Sequence, residues 1–161
     1  MKRPLLALTL ALSLAACHSR HAAAQDEAAN QAFLAKTAKE PGVVTLPDGL
    51  EYKILATGPA DGPHPGPSDE VKVDYEGKLT DGKVFDSSFA RGVPADLPLQ
   101  NLIPAWVEAL QLMRPGDEWM LYVPAQLGYG DQGAGPIPGG SVLIFRIRLE
   151  GVLPHPAGEV G

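Results

Sequence analysis

Several groups in this chain are of types that do chemistry, and their spacing decides how far each can be taken. Gly128-Tyr129-Gly130-Asp131-Gln132-Gly133 spells G-x-G-x-x-G, which holds a dinucleotide pyrophosphate only where the loop opens a helix. The chain continues Gly135-Pro136-Ile137-Pro138-Gly139-Gly140, which no helix accommodates, so a nucleotide site is rejected. Ser87-Ser88 and Ser141 stand in no G-x-S-x-G elbow, and no histidine is placed as their base. Asp69-Glu70 and Asp117-Glu118 follow turns and read as solvated. Spacing leaves hydrolysis by paired carboxylates open, because such pairing is spatial. His18 and His21 have helical spacing but lie in an Ala/Gln/His stretch that reads as a solvated tether. The single cysteine excludes an intrachain disulfide and a cysteine-based zinc site. What remains is a set of aromatics, Tyr75, Phe85, Trp106, Tyr129 and Phe145. Taken singly, each reads as a core residue.

The elements carrying these rings can be read from periodicity. Residues 26–40 are good helix formers with a thin apolar face of Ala29, Ala32, Phe33 and Leu34, stopped by Pro41-Gly42. Gly49 to Leu55 reads as a strand. Residues 58–68, with four prolines and three glycines, read as an irregular connection. From Glu70 to Thr80 the chain alternates, with Val71, Val73 and Tyr75 on one face and Lys72, Asp74 and Glu76 on the other. Asp81-Gly82 predicts a two-residue type I′ hairpin returning as Lys83 to Asp86. Ile103 to Met113 is the convincing internal helix, with Pro104 at its start and Ile103, Trp106, Val107 and Leu110 on one side. Glu118 to Val123 and Ser141 to Glu150 are the last strands, joined by a long Gly/Pro loop. The expected fold is α+β, an antiparallel half-barrel of about five strands with one short helix across it.

Composition agrees with one small domain plus appendages in 161 residues. The 18 glycines and 16 prolines are about a fifth of the chain, against a usual ~12%, and call for many turns. A hydrophobic fraction of 45% excludes a wholly disordered chain. The net charge of −6, without a basic cluster, argues against nucleic acid as a partner.

At the N-terminus, Lys2 and Arg3 precede an apolar run from Leu5 to Ala16, too short to span a bilayer and suited to a signal-peptide core. Leu14-Ala15-Ala16-Cys17 resembles the lipobox of bacterial lipoproteins. That resemblance implies lipidation of Cys17 and a membrane anchor facing the periplasm. His18, in place of an aspartate, implies the outer membrane. Ala22-Ala23-Ala24 offers the alternative, an ordinary cleavage site whose use would leave a soluble periplasmic protein. The expected organisation is a signal peptide over 1–16, a lipid-anchored tether and short helix over 17–45, a globular domain over 46–152 and a tail over 153–161.

Four blocks, in order, carry a second resemblance. Val71-Lys72-Val73-Asp74-Tyr75-Glu76-Gly77-Lys78-Leu79 with Asp81-Gly82-Lys83-Val84-Phe85-Asp86-Ser87-Ser88 is similar to the first signature of FKBP-type peptidyl-prolyl isomerases. Leu102 to Leu110 followed by Met113-Arg114-Pro115-Gly116 resembles their helix. Leu127-Gly128-Tyr129-Gly130 with Ile137-Pro138, and Leu143-Ile144-Phe145, resemble their flap loop and last strand. Phe33-Leu34-Ala35 and Val43 to Leu50 resemble the Mip-like bacterial branch.

The resemblance implies an isomerase for X-Pro bonds that needs no cofactor and no metal. Trp106 would floor a proline pocket walled by Tyr75, Phe85, Leu97, Leu102, Ile103, Tyr129, Ile137 and Phe145. Asp86 and Tyr129 would be its catalytic groups. Its partners would be proline-containing peptides or proteins and macrolide inhibitors of the FKBP class. The alternative is a non-catalytic peptide-holding chaperone module using the same groove. The short N-terminal helix lacks the length of a dimerising arm, so a monomer is expected. Four positions depart from the family pattern: Asp74, expected to face outward; Ala105 for a glycine before the tryptophan; Leu97 for a phenylalanine; and Gly139-Gly140, expected to loosen the loop.

Overall fold

The computed structural model describes residues 27–153. Cys17, His18, His21, the 1–16 leader and nearly all of the C-terminal tail lie outside the described residues.

A helix over 27–37 (α1) leads into β1 (Val43–Thr45) and β2 (Glu51–Ala56). β3 (Glu70–Leu79) and β4 (Val84–Ser87) follow, then a single turn α2 (Ser88–Arg91) and β5 (Ala95–Pro98). The helix α3 (Pro104–Leu112), β6 (Glu118–Val123) and β7 (Leu143–Leu153) complete the order. All pairings are antiparallel, in a seven-stranded sheet of order β1-β2-β6-β7-β3-β4, with β5 also paired to β3. The α+β class is as expected, but two strands exceed the expected five. β1 and β5 are short, and β5 ends on a proline, so neither alternates long enough to register as a strand in sequence.

The core is one face of this sheet closed by α3. Val71 and Val73 of β3, Leu121 and Val123 of β6, and Leu143, Phe145, Ile147 and Leu149 of β7 are buried at every second position. They pack with Ala105, Trp106, Ala109 and Leu110 of α3. Val107, expected on the buried side, is only half-buried, and Ala105 and Ala109 take that place because the small side chains let the helix approach closely. Ala105, the departure from the family glycine, is therefore a fully buried contact.

Four local expectations change. The β3–β4 turn is not type I′, since Asp81 has no positive φ and Gly82 has φ 88°. Gly82 N–H donates to Leu79 O and Leu79 N–H to Lys83 O, at 2.9 and 3.0 Å, giving a three-residue loop with glycine in the left-handed position. Asp74 does not face solvent. It is 8% exposed, accepting from Ser88 Oγ at 3.0 Å and from Arg148 Nη2 at 3.1 Å, because α2 covers the outer face of β3. Asp117 is buried too, accepting from Gly58 N–H at 2.7 Å and Arg114 N–H at 2.9 Å and so fastening the 58–69 connection. Finally, α1 docks through Asn30, Phe33, Leu34 and Thr37, not through Ala29 and Ala32, which are exposed. Phe33 meets Tyr122 at 6.2 Å between ring centroids, and Thr37 hydrogen-bonds the buried carboxylate of Glu51.

Among the described residues no helix is long and apolar enough to cross a membrane.

Candidate active site

Trp106 enters the core one turn into α3, where Pro104 with Ile103 as N-cap fixes the start of the helix. Its ring is met edge-on by Tyr75 from β3 (5.2 Å, 81°) and by Phe145 from β7 (5.3 Å, 84°). Phe85 from β4 is in turn edge-on to Phe145 (5.7 Å, 85°). Edge-to-face packing suits the ring quadrupole and holds the four rings as one set. They form the floor and one side of a recess of about 460 Å³.

The other sides come from separate elements. Leu97 of β5, and Leu102 and Ile103 from the approach to α3, form one; Tyr129 and Ile137 from the loop before β7 form another. Asp86 is on the rim. The geometry thus brings together every pocket residue named from the sequence. It also adds Ala134, Gly135 and Pro136, which the Gly/Pro composition of the loop concealed. Trp106 Nε1 is buried without a hydrogen-bond partner among the described residues, so the floor carries no satisfied polar group from the indole.

Two further residues shape the site. Gly77 of β3 lies under the rings: a Cβ there would be 2.5 Å from Phe85 Cε2 and 2.7 Å from Phe145 Cε1. A glycine inside a strand marks such close approach, and that signal was present in the sequence. Arg91, the last residue of α2, hydrogen-bonds Asp86 through Nη1 and donates from Nη2 to Tyr75 Oη at 3.1 Å. Tyr75 itself donates its hydroxyl proton to Asp86 Oδ2. Burial raises the Asp86 carboxyl, but these two donors outweigh it and hold the group below its ordinary value. Burial first, and then the hydrogen bond to Asp86, push the Tyr75 phenol up. Burial, followed by the charge of Asp86, does the same to Tyr129. Both phenols therefore remain proton donors at neutral pH, and Asp86 remains an acceptor.

The serines are structural. Ser87 Oγ caps α2 by accepting from Ala90 N–H at 3.2 Å, and Ser88 Oγ accepts from Tyr75 N–H at 2.8 Å. The expected loosening at Gly139-Gly140 is not seen: Gly140 N–H donates to Gly130 O at 2.9 Å, and Gly139 packs so tightly that a Cβ would be 1.9 Å from Asp131 O. The G-x-G-x-x-G run forms only one 3₁₀ turn, Gly130–Gln132, and the glycines and prolines that follow it form no helix.

Two family models match. One, described as FKBP-type peptidyl-prolyl cis-trans isomerase, covers residues 62–150; the other, described as the domain amino terminal to it, covers residues 10–54. Peptidyl-prolyl cis-trans isomerase Mip of Coxiella burnetii is 50% identical over 121 residues, 74% of this chain and 52% of that protein. Outer membrane protein MIP of Legionella longbeachae is 47% identical over 128 residues, 79% of this chain and 54% of that one. The chain spans about half the length of these curated relatives. Among solved structures, FkpA from Escherichia coli superposes with a TM-score of 0.81 at 39% identity, covering 88% of this chain and 66% of that one. A peptidyl-prolyl cis-trans isomerase from Pseudomonas syringae gives 0.75 at 37% identity, covering 81% of this chain and 95% of that one. With sequence blocks, ring geometry and matched family models in agreement, the chain belongs to the FKBP-type peptidyl-prolyl cis-trans isomerases, in their Mip-like branch.

Proposed function

We propose that this protein accelerates cis-trans isomerisation of X-Pro bonds in proteins outside the cytoplasm. The observation that carries the reading is the T-shaped set of Tyr75, Trp106, Phe145 and Phe85 walling an open recess with Tyr129 and Asp86 at its edge.

An X-Pro amide resists rotation because resonance gives its C–N bond double-bond character, with a barrier of ~18–20 kcal/mol. Uncatalysed exchange takes tens to hundreds of seconds. The planar ground state is the charge-separated one, so water stabilises it. Transfer of the bond into a dry, ring-lined recess removes that advantage, and the twisted state, less charge-separated, loses less. A donor directed at the rotated carbonyl would add preference for that state, and Tyr129 is the residue assigned to it. Asp86 holds Tyr75 and Arg91 in place and takes no proton. This route needs no nucleophile, metal or cofactor.

The test is the exchange rate of a short proline peptide, measured by NMR or by a protease-coupled assay. Acceleration that weakens in Tyr129→Phe and in Asp86→Ala supports the isomerase. Binding without acceleration would make the domain a peptide-holding module instead. A macrolide of the FKBP-inhibitor class should compete with the peptide for the recess.

We further propose a membrane-associated periplasmic location through lipid on Cys17. The lipobox-like Leu14 to Cys17 and the relative named outer membrane protein MIP support it. A monomer is proposed with it, to be checked by sedimentation at working concentration.

A further inference from the structure

Asn30 lies on α1, remote in sequence from the recess, yet its Nδ2 donates to the carbonyl oxygen of Gly140 at 2.6 Å. Gly140 and Gly130 form the neck of a loop over 130–140 that carries Ile137 into the recess, and Tyr129 stands immediately before that neck. Gly133 N–H of the loop donates back to Tyr129 O at 3.1 Å, and Ala134 and Ile137 exchange backbone hydrogen bonds of 3.0 and 2.9 Å. A segment tied in this way is positioned as a unit by whatever holds its neck. The neck is held from outside the loop by the Asn30 amide.

The helix can act as an anchor because it is itself anchored. Asn30, Phe33 and Thr37 recur at three- and four-residue steps and so share one face. Phe33 packs on Tyr122 of β6, and Thr37 hydrogen-bonds Glu51 of β2. One turn before Phe33, the same face reaches the loop across a crevice lined by Glu27, Gln31, Asp131 and Gly139.

We propose that Asn30 is a positioning residue for the recess: by fixing Gly140 it sets where the loop holds Ile137 and braces Tyr129 beside the neck, and so couples the N-terminal helix to substrate affinity. The proposal rests on the isomerase reading for its kinetic consequence, but not for its structural one.

The test uses the full chain and the substitutions Asn30→Ala and Asn30→Asp. Two quantities are read: hydrogen exchange of the Gly133, Ile137 and Gly140 amides by NMR, and KM and kcat for a short proline peptide. In Asn30→Ala, exchange at those amides and KM are each expected to rise roughly 2- to 10-fold, the factor a single net hydrogen bond supplies, with kcat nearly unchanged. Asn30→Asp places an acceptor against a carbonyl oxygen and should be worse at pH 7.5. Protonation restores a donor, so its defect should shrink toward wild type in mild acid. The carboxylates of Glu27 on α1 and Asp131 on the loop, which line the same crevice, favour that protonation.

Unchanged loop exchange, faster exchange spread through β6 and β7, or faster loop exchange with unaltered KM would each overturn the proposal. A wild-type chain that binds the peptide without isomerising it would instead reject the isomerase reading. The coupling would then be read from loop exchange and peptide affinity, where the same outcomes decide it.

Discussion

Tyr75 and Asp86, on the neighbouring strands β3 and β4, are joined by a hydrogen bond from the phenol to the carboxylate, and Arg91 donates to both. The three groups brace one edge of the recess. The aromatic ring that closes on Trp106 is thereby fixed through its polar end as well as its packed face.

This arrangement sets the pH behaviour of turnover. Asp86 is raised by burial but lowered more by its hydrogen bonds, and ends below its ordinary value of 3.8. A depressed carboxyl is ionised above its unfolded value, and its contribution is lost only as pH falls through the lower folded value. Turnover should therefore be flat through neutral and mildly acidic pH and decline only as pH falls below the ordinary value of 3.8 for Asp86. Asp86→Asn should slow it roughly 3- to 10-fold across the flat range, the scale of one charged hydrogen bond only partly lost. A decline in the wild-type profile that begins well above that ordinary value would show that Tyr75 and Arg91 do not hold Asp86 ionised.

Tyr129→Phe separates chemistry from folding. Tyr129 is 39% exposed and its ring stays in the variant, so the melting temperature should move by no more than a surface substitution moves it. If its hydroxyl meets the rotating carbonyl, kcat should fall roughly 3- to 10-fold with KM little changed, as loss of one hydrogen bond made in the rotated state implies. Equal kcat in the two proteins would leave the acceleration to desolvation alone.

How far the site was readable in sequence follows from which interactions are periodic. Trp106 and Phe145 lie on a helix and a strand whose buried positions repeat, so their side of the core could be read directly. Asp74 shows where that fails. Alternation placed it on the outer face of β3, which is correct, but the covering of that face by α2 is tertiary and left no periodic trace. Arg91 escaped for a similar reason: its contact with Asp86 depends on the single turn of α2, capped by Ser87, which is too short for a helical pattern. Gly139 and Gly140 read as slack, whereas close approach to Asp131 and a bond to Gly130 make them the tight part of the loop.

Membrane association can be tested separately from the recess. Cys17→Ser is expected to shift the protein from the detergent phase to the aqueous phase in a phase-partition experiment, with turnover of a proline peptide unaltered. Detergent-phase partition that persists in Cys17→Ser would reject the anchor, and aqueous partition of both proteins would favour cleavage after Ala24 and a soluble periplasmic product.

A second pH effect belongs to stability. Glu108 on α3 shares a hydrogen bond with Asp48, and that contact, with burial, pushes its carboxyl up to about 6. For an acid raised on folding, the folded state holds the extra proton, so stability is greatest below the unfolded value near 4.5 and declines as pH rises through about 6. Asp48 is exposed and Glu108 half-buried, so the pair is screened and the loss should stay under about 1 kcal/mol. Glu108→Gln keeps a donor toward Asp48 at every pH. It should melt higher than the wild type at pH 8 and at about the same temperature at pH 4.5. A variant equal to wild type at both values would show that the pair does not share a proton.

Gly77→Ala tests whether ring closure makes the recess. The added Cβ would lie 2.5 Å from Phe85 Cε2 and 2.7 Å from Phe145 Cε1, closer than van der Waals contact allows. Phe145 is buried in the core and packed on Trp106, whereas Phe85 is half-buried on β4, so Phe85 is the ring that yields. Overpacking of this kind costs about 1–3 kcal/mol. Because the displaced ring is a wall of the recess, the penalty should fall on peptide binding as well as on folding. Affinity for a proline peptide is expected to fall at least tenfold at a temperature well below the melting point. A partner change of Phe85→Leu, which vacates the space that the new methyl needs, should recover most of the lost stability but not the affinity. Recovery of both would mean that Phe85 serves only as packing. Loss of stability without loss of affinity in Gly77→Ala would place the peptide elsewhere than against these rings.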